Sequence, residues 1–174
     1  RIGRSRRGRE PVALGRGIQF IAAKNGISDA HVTPFTIHHD VRRPLDRKLP
    51  SLLARLERRL APTHYGVGQY RDGTQVTTTF LLIHRGVRLE RPLPRTARVG
   101  EQILIRGPLR RGYFRPRVIV APPGGAPIRE QPAWTDKRTV DALISLGSGP
   151  GTYGIEIVAD SQYGPVVLNN HTVY

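Results

Sequence analysis

The sequence predicts an α+β protein, with a small α/β module containing a β-hairpin over residues 11–84 and an antiparallel β-sandwich over residues 85–174. Helical spacing of apolar residues occurs twice before residue 84 and does not return after it. An Asp72-Gly73 turn separates two strand-like runs, the strongest short hairpin signal a sequence can carry. Beyond residue 84, short apolar runs alternate with Gly-Pro and Pro-Gly turns, the rhythm of layered sheets. The clearest run is Pro150 to Asp160, where Tyr153, Ile155, Ile157 and Ala159 share one face and Thr152, Gly154, Glu156 and Val158 the other. Pro150-Gly151 leads into it, and Tyr163-Gly164-Pro165 leads out to Val166-Val167-Leu168.

Residues 1–10 hold five arginines among glycine and serine and read as a flexible, solvated basic arm. The alternatives are a phosphate-binding arm or a processing site at Arg6-Arg7. From Pro11 a helical face forms on Leu14, Ile18, Ile21 and Ala22, with Asn25-Gly26 as its stop. Val32, Phe35 and Ile37, interrupted by Pro34, suit an edge strand better than a central one. A charged loop over residues 40–49 precedes a second helix that opens at Pro50-Ser51, turns Leu52, Leu53, Leu56 and Leu60 inward, and ends at Pro62. His64 to Tyr70 and Gln75 to Ile83 form the hairpin, with Phe80 to Ile83 buried on both faces. Further strands are predicted at Val87–Leu89, Gln102–Ile105, Arg117–Val120, Val140–Leu146, Thr152–Ala159 and Val166–Val173, an immunoglobulin-like count and spacing.

The chain carries 28 Lys+Arg against 13 Asp+Glu, a net charge of +15, and only Lys24, Lys48 and Lys137 are lysine. Such an excess attracts anionic polymers over long range. Residues 85–117 hold ten arginines against Glu90 and Glu101, whereas residues 139–174 hold no lysine or arginine. Any anion-binding face of the second half therefore belongs near its first strands. There is no cysteine, so disulfides and thiolate metal sites are excluded. No run approaches the ~20 apolar residues of a membrane helix. A chain opening at Arg1 without methionine reads as part of something longer.

Two stretches resemble known proteins. Thr63-His64-Tyr65-Gly66-Val67-Gly68, followed by a long apolar strand, resembles the late "GVG" strand pair of bacterial CAP-superfamily (SCP-like) secreted domains. Pro150 to Glu156 with Tyr163 to Val167 resembles the β-sandwich that follows such a domain in some proteobacterial envelope proteins. The resemblance implies a secreted, periplasmic or envelope protein. The CAP cleft draws two histidines and two acids partly from early helices, which this chain starts too late to contain, and Ser51 to Leu60 has no histidine. The resemblance thus implies a CAP remnant without its cleft, and it carries over no site residue.

Residues suited to chemistry are few. His38 and His39, being adjacent, point to opposite faces of an extended chain. A set of His31, His38 or His39 and Asp40 lacks metal-ligand spacing, and ordinary surface histidines are the simpler reading. Ser145 and Ser148 lack a base nearby in sequence, and Gly147 to Gly151 lacks the lysine of a phosphate loop. No catalytic set, metal or cofactor is predicted. The leading binding candidates are Arg110, Arg111, Tyr113, Phe114, Arg115 and Arg117, because aromatics among arginines can stack bases or sugars while guanidinium groups hold phosphate or carboxylate. The competing reading is a hairpin tip whose aromatics tuck against the sandwich. His64 joins the candidates because glycines beside it admit a ligand, with a half-buried structural histidine as the alternative. Trp134 reads as an exposed anchor or a core plug.

These observations predict a non-enzymatic secreted or envelope protein that engages an anionic polymer, a protein partner or copies of itself through a basic surface. The alternative is a nucleic-acid-binding protein using the N-terminal arginines and the 85–117 band.

Overall fold

A computed structural model describes residues 15–42, 49–125, 129–133, 136–147 and 149–174. The N-terminal arm, Leu14, Trp134 and Ser148 lie outside the described residues.

Helix α1 (Gly15–Lys24) ends where the sequence places its stop. Gly26 takes a left-handed φ of 81°, Gly26 N donates to Ala23 O at 3.0 Å, and Ile27 N donates to Ala22 O at 2.9 Å. Those two bonds close a Schellman cap, which satisfies carbonyls the helix itself leaves open. Strand β1 (His31–Asp40) follows, then helix α2 (Leu49–Leu60), strand β2 (His64–Asp72) and strand β3 (Gln75–His84). The three strands form one sheet in the order β1-β3-β2, both pairings antiparallel. Pro34 therefore sits on an edge strand, as expected. Gly73, at a φ of 58°, makes the two-residue turn between Asp72 and Gln75.

Strands β4 (Gln102–Pro108) and β7 (Thr139–Ser145) pair in a second sheet. Strands β6 (Arg129–Pro132), β5 (Phe114–Ala121), β8 (Tyr153–Ser161) and β9 (Gly164–Val173) form a third, in that order. Alternate residues of each face one shared core. Ile103, Ile105, Val140 and Ile144 meet Val118, Val120, Ile155, Ile157, Leu168 and Val173 there. The back half is thus β-rich and sandwich-like, its side chains packed by the period of two that the sequence displays.

The α+β expectation is overturned. Among the described residues nine strands accompany two α-helices, every strand pairing is antiparallel, and the protein is mainly β. Residues 11–84 do not supply an α/β module. Their helical periodicity reports that a segment has an apolar stripe, not that a sheet receives it. No residue of α2 is buried, its leucines reaching only half-burial, and α1 fully buries only Ala22 among its described side chains. Val87 to Leu89 gives a single bridge, Val87 to Leu109, rather than a strand, while β6 was not anticipated. None of the described helices is long and apolar enough to cross a membrane.

The front sheet and the sandwich meet through the Ser28–Ala30 segment, which lies along β9. Asp29 bridges Asn169, Asn170 N donates to Ser28 O at 2.8 Å, and Asn169 Nδ2 donates to Ser28 Oγ at 2.9 Å. The last residue also finds its partners within the chain. Tyr174 N donates to Arg95 O at 2.8 Å and Ala97 N donates to Tyr174 O at 3.1 Å.

A cationic cleft between the front sheet and the sandwich

An open cleft of about 330 Å³ lies where β1, β3, the end of α2 and the sandwich converge. The front sheet contributes His31, Leu82 and His84, the helix end Arg59 and Leu60, and the sandwich Tyr113 and Val166. Tyr113 arrives on the turn before β5, held by Arg110 N to Gly86 O at 2.8 Å and Tyr113 N to Arg110 O at 3.2 Å. Gly112, with φ at 99°, lets that turn close.

His84 organises the floor. Its Nδ1 lies 2.9 Å from Ala61 O, and a carbonyl can only accept, so Nδ1 carries the hydrogen. In the neutral ring Nε2 is then the acceptor, and Tyr113 Oη donates to it at 3.2 Å. The His84 ring also meets His31 edge-on, with centroids 6.4 Å apart, and Tyr113 edge-on at 6.2 Å. The result is a polar wall of two imidazoles and a phenol beside the Arg59 guanidinium. Arg59 stands in the last turn of α2, where the helix dipole favours a cation.

The structure divides the predicted arginine cluster in two. Arg115 and Arg117 are already neutralised. Arg115 Nε lies 3.2 Å from Asp160 Oδ2, and Arg117 reaches Glu130 at 3.0 Å and Asp160 at 3.4 Å. A bulge between Phe114 and Arg117, with Arg115 at a φ of 48°, turns this corner of β5 toward the acid. Arg110 and Arg111, by contrast, are exposed, and neither side chain has a hydrogen-bond or ion-pair partner among the described residues; the same holds for Arg59. Arg106 is committed elsewhere. Its hydrogen bond to Asp141 at 3.0 Å raises its pKa further above the ordinary arginine value.

The aromatic members of the cluster do not present free faces. Tyr113 is half-buried against the sandwich core and engaged with His84, while the Arg115 guanidinium covers the Phe114 ring at 5.2 Å from its centroid. The tucked-aromatic reading of this turn describes Tyr113. His64 lies outside the cleft lining, exposed on β2 rather than half-buried, with Nδ1 2.9 Å from Thr63 Oγ1. His31 and the His38–His39–Asp40 group occupy opposite ends of β1, pairing with His84 and with Thr77, Val76 and Gln75, so that set does not assemble. Among the described residues no three histidine, cysteine or acidic side chains gather around a common point.

Arg59 and His84 are cleft residues that sequence reasoning missed, and it reads His31 only as a surface histidine. No sequence spacing joins them; His84 is marked only as the polar end of the apolar run Phe80 to Ile83. No protein-family model matches the chain and no curated protein matches it in sequence, so the CAP-superfamily resemblance rests on the short motifs quoted above alone.

Proposed function

We propose that this protein is a non-enzymatic binding protein for an anionic polymer, which it engages through the Arg59, Arg110 and Arg111 side chains around the His84–Tyr113 cleft. On the resemblance stated above, its setting is the cell envelope or the exterior. The observation that carries the reading is the division of the arginines. Arg115 and Arg117 are neutralised by acids, whereas Arg59 in the cleft lining and Arg110 and Arg111 on the turn that carries Tyr113 have no acid partner among the described residues, on a chain of net charge +15. A guanidinium fork matches carboxylate, sulfate and phosphate oxygens with two parallel hydrogen bonds. The His31 ring adds a further polar group within the same cleft, while the Tyr113 hydroxyl hydrogen is already given to His84.

The aromatic geometry bears on which polymer. A nucleic-acid reader that stacks bases needs open ring faces, and here one is engaged by an imidazole and the other covered by a guanidinium. That arrangement supports charge-based recognition of a polyanion over base stacking. Fluorescence anisotropy with a labelled sulfated polysaccharide and, in parallel, a labelled DNA oligonucleotide tests the reading. The wild-type chain is expected to bind the polysaccharide, and the Arg59→Ala/Arg110→Ala/Arg111→Ala variant to bind it at least about tenfold more weakly. Arg117→Ala, which removes an already paired charge, is expected to change affinity little. No binding at physiological salt, or equal loss in both variants, would refute it.

A further inference from the structure

The front sheet treats its two edges differently. On β1, Pro34 pairs with Leu81. Thr74 O accepts from Val41 N on the β1 side and Ile83 O accepts from Thr63 N on the β2 side. Backbone groups of a strand point to alternate sides, so the odd-numbered residues of β3 bond toward β2. Pro34, opposite odd-numbered Leu81, therefore turns its hydrogen-free nitrogen to the outer edge, where it blunts pairing with any further strand. The same parity leaves the N–H and C=O groups of Tyr65, Val67, Gln69 and Arg71 pointing outward from β2. That strand has no proline and no lysine, its pairing with β3 has no bulge, and all nine of its residues are exposed. Tyr65, Val67 and Tyr70 are 76%, 53% and 69% exposed. Residues 61–70 also contain no Asp, Glu, Lys or Arg on an otherwise strongly basic chain.

We propose that β2 is a homodimer interface, two copies pairing edge to edge and antiparallel in the register that sets Gly68 against Gly68. This is the register in which the whole strand His64–Asp72 covers itself. It places His64 opposite Asp72, Tyr65 opposite Arg71, Gly66 opposite Tyr70 and Val67 opposite Gln69, each pair occurring twice about the two-fold axis. The strand is thereby self-complementary: imidazole meets carboxylate, an aromatic ring meets a guanidinium, and the tyrosine covers the bare glycine. Odd residues pair with odd residues, which supplies the outward backbone groups with hydrogen-bond partners. A slip of two residues keeps that pairing but leaves one end of the strand, His64-Tyr65 or Arg71-Asp72, without its partner. Because each copy carries a net charge of +15, salt that screens the mutual repulsion strengthens the dimer, the reverse of its effect on polyanion binding.

The chain has no cysteine, so single-cysteine variants read the register directly. Neither Gly66 nor Gly68 has a left-handed φ, and a Cβ at either meets nothing within 4 Å. In the proposed register Gly68→Cys brings two cysteines to about 4.5 Å between Cα atoms, within disulfide reach. Gly66→Cys leaves them about 13 Å apart. Under mild oxidation at moderate salt, Gly68→Cys is expected to cross-link and Gly66→Cys to remain uncross-linked. Light scattering on the wild-type chain is expected to give twice the 19.4 kDa chain mass at high protein and salt concentration. Val67→Pro removes an outward N–H without touching the β2–β3 ladder, and Val67→Lys adds a charge near the two-fold; both are expected to give the single-chain mass with an unchanged circular dichroism spectrum. A wild-type chain of single mass under those conditions, a dimer that survives both Val67 variants, or equal cross-linking at positions 66 and 68 would each overturn the proposal.

Discussion

Asp29 is the clearest case of a side chain whose surroundings fix its consequences. It is buried, and Arg85 holds it with Nε 3.1 Å from Oδ1 and Nη2 3.0 Å from Oδ2, while Arg85 itself keeps 39% of its side chain in solvent. The two partners are therefore unequal. Arg85→Ala strands a buried carboxylate and is expected to cost about 2–3 kcal/mol, whereas Asp29→Ala frees a guanidinium that water can solvate and costs about 1–2 kcal/mol. Urea unfolding of both variants checks the order; an Asp29→Ala loss larger than that of Arg85→Ala would contradict it. Asp136 gives a pH signature. Arg138 N donates to it at 2.7 Å and Thr139 Oγ1 at 3.0 Å, and these bonds, the backbone one foremost, hold its pKa below the usual carboxylate value. A depressed folded pKa contributes stability that is present above the unfolded value and lost as pH falls through the folded one. Asp136→Asn is thus expected to lower Tm at neutral pH, with the gap to wild type closing under acid. At this scale little was legible from sequence. Asp29 and Arg85 are 56 residues apart, and Asp160 neutralises Arg115 and Arg117 across a strand pair. Charge pairs of that kind belong to the fold, not to local spacing.

Elements were legible where their determinants are local. Asp72-Gly73 forms the hairpin turn because only a residue at ease with positive φ suits the first central position, and Asn25-Gly26 ends α1 for the same reason. The alternation appears directly as burial from Tyr153 to Ile157, with Ile155, Ile157 and Ala159 at 0% exposure, but it breaks at Val158, which is buried as well where the pairing with β9 shifts register. Elements were missed where the pattern lacks such a signature. Arg129-Glu130-Gln131-Pro132 has no apolar residue to alternate, yet β6 forms because β5 offers it an edge. The leucines of α2 have helical spacing, yet the helix has no buried residue, so the spacing located the helix and not its packing. A backbone approach also escaped sequence reading. The Cα of Gly107 faces the Arg88 carbonyl so closely that a Cβ would overlap it and the Leu89 Cα. The strand pattern Gln102–Pro108 alone would allow alanine there. Gly107→Ala is expected to destabilise by about 1–3 kcal/mol, because backbone cannot step aside as a side chain can; an unchanged Tm would contradict the close approach.

For the whole molecule, the sequence conveyed the back half better than the front. A sandwich-like core is encoded by period-two burial distributed along many strands, and each strand repeats the evidence. The front half mixes two helices with three strands, and its class depends on which of them pack; the strands pair antiparallel while the helices bury little, which makes the protein mainly β. The cleft arises because Ser28–Ala30 joins β9 and thereby brings the β1–β3 end with His31 and His84 against Tyr113. Arg59 reaches the cleft from α2, and Arg110 and Arg111 stand on the turn that carries Tyr113; no sequence motif connects Arg59 to that cluster. Composition predicted a polyanion partner; only the tertiary structure separates arginines committed to acids from those with no acid partner among the described residues.

The measurement that tests this account most directly is the salt dependence of polyanion affinity, compared between variants. Each guanidinium that neutralises a ligand charge steepens the fall of log affinity with log salt by about one unit. Replacing Arg59, Arg110 and Arg111 together is therefore expected to flatten the slope by about two to three units, while replacing Arg115 and Arg117 leaves it near the wild-type value. Equal flattening in both sets, or a slope carried wholly by Arg115 and Arg117, would contradict the assignment of the binding surface to the cleft and the turn that carries Tyr113.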